Sequence, residues 1–197
     1  HFHSLSTSTG WSDAYPKAML YLSDPPELEK IFPLPPTVSA AFNGPENFDR
    51  FVSALRGFAH QTRFMHFYHD QESFFVALEQ GVRKLLGDHD PISTVESYFG
   101  IRQISYHLIL SPLLHHGGFG PHIGRPGGPY DVYTLLGPTK AQYGIPSYGP
   151  RPHLLELIWH EFGHAFANDL ADAYSEELLK RSALYLPPVS YKHLTLP

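Results

Sequence analysis

The chain has 197 residues, of which 42% are hydrophobic and 14% aromatic, enough to bury one core at the usual size of a single domain. A formal charge of -5, with Lys and Arg spread along the chain, gives no electrostatic footprint for nucleic acid, and no apolar run approaches the roughly eighteen residues of a membrane span. With no cysteine, disulfides, Cys-based zinc sites and thiol nucleophiles are all excluded, whereas the 14 histidines are scattered and leave imidazole ligands available.

The opening residues, HFHSLSTSTGWSD, lack the charged-then-apolar build of a signal peptide, and the chain is read as soluble. It begins with His1 rather than Met, so it reads as a fragment, which leaves export to the periplasm or beyond open. Residues 1–41 read as extended or irregular: Ala18 to Leu22 is a short apolar piece stopped by Pro25 and Pro26, and a proline-rich connection runs on to Pro36. In NGPENFDRFVSALRGF, Pro45 fits a first helical position, and Phe48, Phe51, Val52, Leu55 and Phe58 recur at helical spacing. A second helix is marked by Phe74, Phe75, Leu78, Val82, Leu85 and Leu86, with Arg83 and Lys84 in its last turn and Gly87 as its cap. The aromatic AHQTRFMHFYHD between them is expected to extend one of the two.

RQISYHLILSPL alternates, with Ile104, Tyr106, Leu108 and Leu110 on one face, and predicts a strand ending near Pro112. LLHHGGFGPHIGRPGGPYD, with six glycines and three prolines, predicts a loop, and YDVYTLLGP a second short strand. From His153 to about Asn168, Leu154, Leu157, Ile158, Phe162, Ala165 and Phe166 mark a mostly buried helix, and LADAYSEELLKRSALYL a last helical piece stopped by Pro187 and Pro188. The ending VSYKHLTLP, residues 189–197, has no pattern or cap and is expected to be a non-native tail, so that the natural chain continues differently beyond Pro188.

Inside the buried helix, His160, Glu161, Phe162, Gly163 and His164 spell H-E-x-x-H. Residues four apart on a helix share a face about 6 Å apart along the axis, so His160 and His164 can aim ring nitrogens at one ion. Glu161 lies about 100° round the helix, beside the fourth coordination position, where it can take a proton from a zinc-bound water attacking a peptide carbonyl. The flanking Leu157, Ile158, Phe162, Ala165 and Phe166 are all apolar, so these polar groups sit on a helix otherwise built for burial, where they need partners. The competing reading makes His160 and His164 core histidines bonded to backbone, with Glu161 paired to a cation.

HEFGHAFAN, preceded by a strand, a GGFGP loop and YDVYTLLGP, resembles a bacterial family of unknown function that looks like zinc metallopeptidases, with H-E-F-x-H-x-F-x-N on the active-site helix. The likeness runs from about residue 42 to 188 and is carried by His160, Glu161, Phe162, His164, Phe166 and Asn168. It implies a partial zincin-like α+β domain of the gluzincin type over 42–188, truncated at its C-terminus, with an active-site helix packed beside a small sheet. It further implies His160 and His164 as Zn2+ ligands and Glu161 as the catalytic base of peptide or protein hydrolysis. The family pattern places a proline after the motif asparagine, where this chain has Asp169.

The third ligand is not in a familiar place. Metzincin spacing falls on Ala167 and Leu170, and thermolysin-like spacing falls near Leu184. Glu176 and Glu177 lie roughly 18 Å from His164 along a straight helix and can serve only if Asn168 and Asp169 form a turn; otherwise they belong to a solvated face. Asp172 is a weaker candidate, and a glutamate on a later helix beyond Pro188 is the leading expectation. Asn168 falls one turn beyond His164 and either orients it or caps the helix, while His122, with His115 and His116, either lines the cleft, donates to the tetrahedral intermediate or completes the zinc site, or is an exposed loop histidine. Tyr130, Tyr174 and Tyr185 are candidate oxyanion donors, and residues 103–111 or 130–136 are candidate substrate-binding strands. The rival to the peptidase is a non-catalytic metal-binding or degenerate zincin module with a binding or structural role.

Overall fold

The computed structural model describes residues 14–125, 127–140 and 144–182. Tyr185, the segment beyond Pro188 and the tail 189–197 lie outside the described residues. Within the N-terminal stretch expected to be extended, the chain forms two short helices, α1 (Ala14–Met19) and α2 (Pro36–Ala41). The prolines do not prevent this, because Pro25 and Pro26 fall in the connection and Pro36 sits in the first turn of α2, where a missing N–H costs nothing. With α3 (Pro45–Gln61), these helices bury Ala18, Leu22, Leu28, Val38, Phe42, Phe48 and Val52 as a small core of their own, braced by an edge-to-face contact between Phe42 and Phe48 at 5.1 Å.

The segment after α3 is a helix in its own right, α4 (Phe64–Asp70), because Arg63 takes a left-handed conformation (φ 51°) that breaks the axis. Next come α5 (Glu72–Leu86), stopped by Gly87 at φ 58°, and α6 (Pro91–Phe99), which the hydrophobic pattern did not reveal. Helix α6 is defined by its ends: the Asp90 carboxylate accepts from the N–H groups of Ile92 and Ser93 at 3.0 and 3.1 Å, Pro91 opens the first turn, and Gly100 closes it at φ 69°.

The sheet is small and mixed. Strand β4 (Tyr130–Gly137) is its centre, parallel to β1 (Ser105–Leu110) on one side and antiparallel to β2 (Gly117–Phe119) and β3 (His122–Gly124) on the other. The glycine-rich stretch expected to be loop therefore supplies two edge strands, its hydrogen bonds provided by β4 rather than by any local side-chain pattern. Val132, Thr134 and Leu136 alternate inward along β4, and Tyr106, Leu108 and Leu110 point the same way from β1.

Helix α7 (Arg151–Ala173) lies on that face, followed by α8 (Ser175–Ser182). Leu154, Ile158, Phe162, Ala165 and Phe166 of α7 join Leu78, Val82 and Val95 to make the main core. Phe166 stacks on Phe99 of α6 at 4.6 Å and 5°, and Phe162 meets Tyr106 of β1 at 4.8 Å. The class is α+β, with eight helices and four strands among the described residues, none of those helices long and apolar enough to cross a membrane.

Phe162 is 1% exposed at the centre of this packing. Replacement by Ala is expected to cost about 3–5 kcal/mol in urea unfolding, while Asp90→Ala, which removes only the α6 cap, is expected to cost about 1 kcal/mol.

Candidate metal centre

Helix α7 has one apolar face in the core, and the motif residues occupy the border of that face. Phe162 and Ile158 point inward, His160 is exposed, His164 is half-buried, and Glu161 is 5% exposed. The rings of His160 and His164 lie 5.0 Å apart, nearly perpendicular, as the i, i+4 relation requires. Among the described residues, His160, Glu161 and His164 form the one group of three potential metal-binding side chains, each offering a ligand atom within 4.8 Å of the others.

Two contacts orient this group. His164 Nδ1 lies 3.2 Å from Asn168 Oδ1, one turn on. A carbonyl oxygen accepts, so the contact keeps the ring proton on Nδ1 and leaves Nε2 with its lone pair for an ion. The Glu161 carboxylate is placed by strand β2. A Cβ on Gly118 would stand 2.8 Å from both Cγ and Oε1 of Glu161, and one on Gly120 would stand 2.3 Å from the Glu161 carbonyl oxygen. Only glycine lets the β2 backbone run this close to the helix. The other carboxylate oxygen, Oε2, lies 3.9 Å from His164 Nε2, beyond hydrogen-bond length.

Asn168 and Asp169 do not form the turn that Glu176 or Glu177 would need in order to reach the motif. The Asp169 carboxylate accepts from the Tyr130 hydroxyl and, at 3.1 Å, from the Gly127 N–H. With Asn168 engaged by His164 and Asp169 by the sheet, neither side chain caps the helix, and α7 runs on to Ala173. Glu176 and Glu177 consequently lie on exposed α8, where Glu177 pairs with Arg181 at 2.8 Å, and neither joins the His160, Glu161 and His164 group. Asp172 is exposed on α7 and also stays outside it.

The remaining candidates separate. His122 sits in β3 against the Tyr130 ring (4.4 Å), its buried Nδ1 has no hydrogen-bond partner among the described residues, and burial, followed by the Lys17 charge, disfavours its protonation. His116 pairs with His153 (Nε2 to Nε2 3.1 Å), and His115 Nδ1 contacts the His116 carbonyl at 2.9 Å. Tyr130 is buried and committed to Asp169, while Tyr174 is 59% exposed. Strand β4 has neighbours on both sides, so it offers no edge to a peptide; the edge beside the motif is β2, within the glycine-rich stretch.

Comparison with known families adds one result. The family described as a domain of unknown function, DUF4932, matches residues 20–187. The chain belongs to this family. Its span takes in the motif helix, the whole sheet and most of the N-terminal core, including residues 20–41. No curated protein and no solved structure matches the chain.

Two consequences can be measured. Gly118→Ala is expected to leave the fold and metal affinity intact while displacing the Glu161 carboxylate, whereas Asn168→Ala is expected to weaken metal affinity by roughly 10- to 100-fold, both read by competitive metal titration beside circular dichroism. The Tyr130 hydroxyl, chiefly, holds the Asp169 carboxyl below its ordinary range, helped by the Gly127 N–H. A depressed folded pKa contributes stability that is present above the unfolded value, near about 3.9, and is lost as pH falls through the folded value. Tyr130→Phe should therefore flatten the dependence of unfolding free energy on pH below about pH 4, and an unchanged acid limb would show that the contact contributes nothing.

Proposed function

We propose that the protein is a zinc-dependent peptidase of zincin-like, gluzincin type, in which His160 and His164 hold the ion and Glu161 is the catalytic base. The observation that carries this reading is the division of labour within the group. Two imidazoles four residues apart face the open side of α7, one with its tautomer fixed by Asn168, and a buried carboxylate stands beside them under strand β2. Two imidazoles as donors, with a carboxylate beside the ion rather than on it, fit zinc.

Zinc, when bound, lowers the pKa of a coordinated water toward about 7 and polarises a carbonyl. The chain's own residues do the rest. Glu161 accepts a proton at its carboxylate and returns it to the departing amine, so no covalent acyl-enzyme is needed. Gly118 of β2 leaves room for that carboxylate, and Gly120 just after it leaves room for the helix backbone that carries it. The free edge of β2 offers main-chain donors and acceptors to an extended peptide, aligning a scissile bond with Glu161. Among the described residues, no histidine or carboxylate other than Glu161 joins His160 and His164.

The test uses dialysed protein and three variants. Wild type is expected to hold about one zinc per chain and to hydrolyse an unstructured protein substrate. His160→Ala and His164→Ala should lose the metal, and Glu161→Gln should retain it while activity falls by roughly 10²- to 10⁴-fold. A Glu161→Gln variant as active as wild type would remove the base assignment, and a folded wild type that takes up no zinc would remove the metal centre.

A further inference from the structure

A pocket of about 280 Å³ lies between the N-terminal helices and the turn joining β2 to β3. Its floor is the chain that shapes the motif: Phe119 and Gly120 line it, and Gly120 is the residue pressed against the Glu161 carbonyl. Asn168 lines it as well and touches His164 from its other side, so the pocket is separated from a motif histidine by a single hydrogen bond. The opposite wall is Lys17 and Val38, from α1 and α2. At this volume it suits one amino-acid side chain or a chain terminus rather than a cofactor, since cofactor and drug-sized pockets begin at about 300 Å³.

Lys17 gives the pocket its chemistry. It is half-buried, and burial disfavours its charged form. Among the described residues no carboxylate lies within ion-pair distance of it; Asp169, whose charge acts on His122, is already occupied by Tyr130 and Gly127. The other ionisable group in the wall is His122, whose protonation Lys17 opposes. A half-buried ammonium with no counter-ion, set in a wall with apolar Val38 and Phe119, is an unfavourable arrangement for the empty protein and a favourable one for a bound anion.

We infer that this pocket is a carboxylate-binding subsite, in which Lys17 receives an acidic group of the peptide and the Asn168 amide and the β2–β3 backbone flank it. As a substrate subsite it rests on the peptidase reading above; as an anion site it does not. Carboxylate capture next to the motif would give the enzyme a preference for peptides with an acidic side chain, or with a free C-terminus, near the scissile bond. These two sources share one chemistry and are separable by probe.

The test is binding, independent of zinc and of turnover. Three N-acetylated amino acids would be titrated into the ¹⁵N-labelled 197-residue chain: N-acetyl-glutamic acid α-amide (side-chain carboxylate), N-acetyl-alanine (terminal carboxylate) and neutral N-acetyl-glutamine amide. At least one carboxylate is expected to shift the amide resonances of Phe119, Gly120 and His122 with an affinity 10-fold or more above that of the neutral probe. Which of the two binds identifies the source. Lys17→Met should remove the preference and Lys17→Arg should keep it. Equal response to all three probes, or a preference that survives in folded Lys17→Met, overturns the inference while leaving the peptidase reading standing. Carboxylate binding in a protein that takes up no zinc would overturn the peptidase reading and leave the anion site.

Discussion

The structure turns on the close approach of strand β2 to helix α7. A carboxylate that is 5% exposed is expensive to bury, and the chain accommodates Glu161 by placing glycine at the two positions that cross it most closely, 118 and 120. At Gly118 the absent Cβ makes room for the carboxylate itself, and at Gly120 it makes room for the helix backbone. Other features support that approach. Strand β4 holds β2 in register through Gly137, where a Cβ would collide with the His115 carbonyl, and α6 locks the far side of α7 by stacking Phe99 on Phe166. The glutamate is thereby a fixed group, while the histidines beside it face outward.

Rigidity and access are divided along one helix. Phe162 and Ile158 anchor α7 in the main core, and the neighbouring His160 and His164 face the open side. This suits a centre whose ligands must be preorganised yet reachable. Beyond the motif, α7 keeps its helical path because its polar residues have work elsewhere: Asn168 orients His164, and Asp169 ties the helix to Tyr130 and Gly127. The N-terminal core closes the site from the side, bringing Lys17 and Val38 to within one pocket's width of Asn168.

How much of this the sequence disclosed follows from which forces were local. Helices α3 and α5, strands β1 and β4 and the core face of α7 were legible because apolar periodicity carries them. The grouping of His160, Glu161 and His164 was legible because helix geometry alone brings i and i+4 together. Helix α6 was missed although its signals, Asp90, Pro91 and Gly100, are capping chemistry rather than periodicity. Strands β2 and β3 were hidden because their partner is β4, and glycines that serve close approach look in sequence like glycines that serve turns. The helix continues through Asn168 and Asp169, where Glu176 or Glu177 would have needed a turn, because side-chain partners distant in space, not propensity, decide the path there. The Lys17 wall carries no sequence signal, since a lone lysine in a proline-rich segment acquires meaning only through packing.

The central claim is that His160 and His164 are ligands of one zinc ion, with Glu161 held beside it. The most direct test is X-ray absorption at the zinc edge on the zinc-loaded chain. The account predicts a four-coordinate first shell with two imidazole nitrogens at about 2.0–2.1 Å, recognised by their multiple scattering. A shell of oxygen donors without imidazole scattering would contradict it, because the ion would then lie elsewhere on the protein.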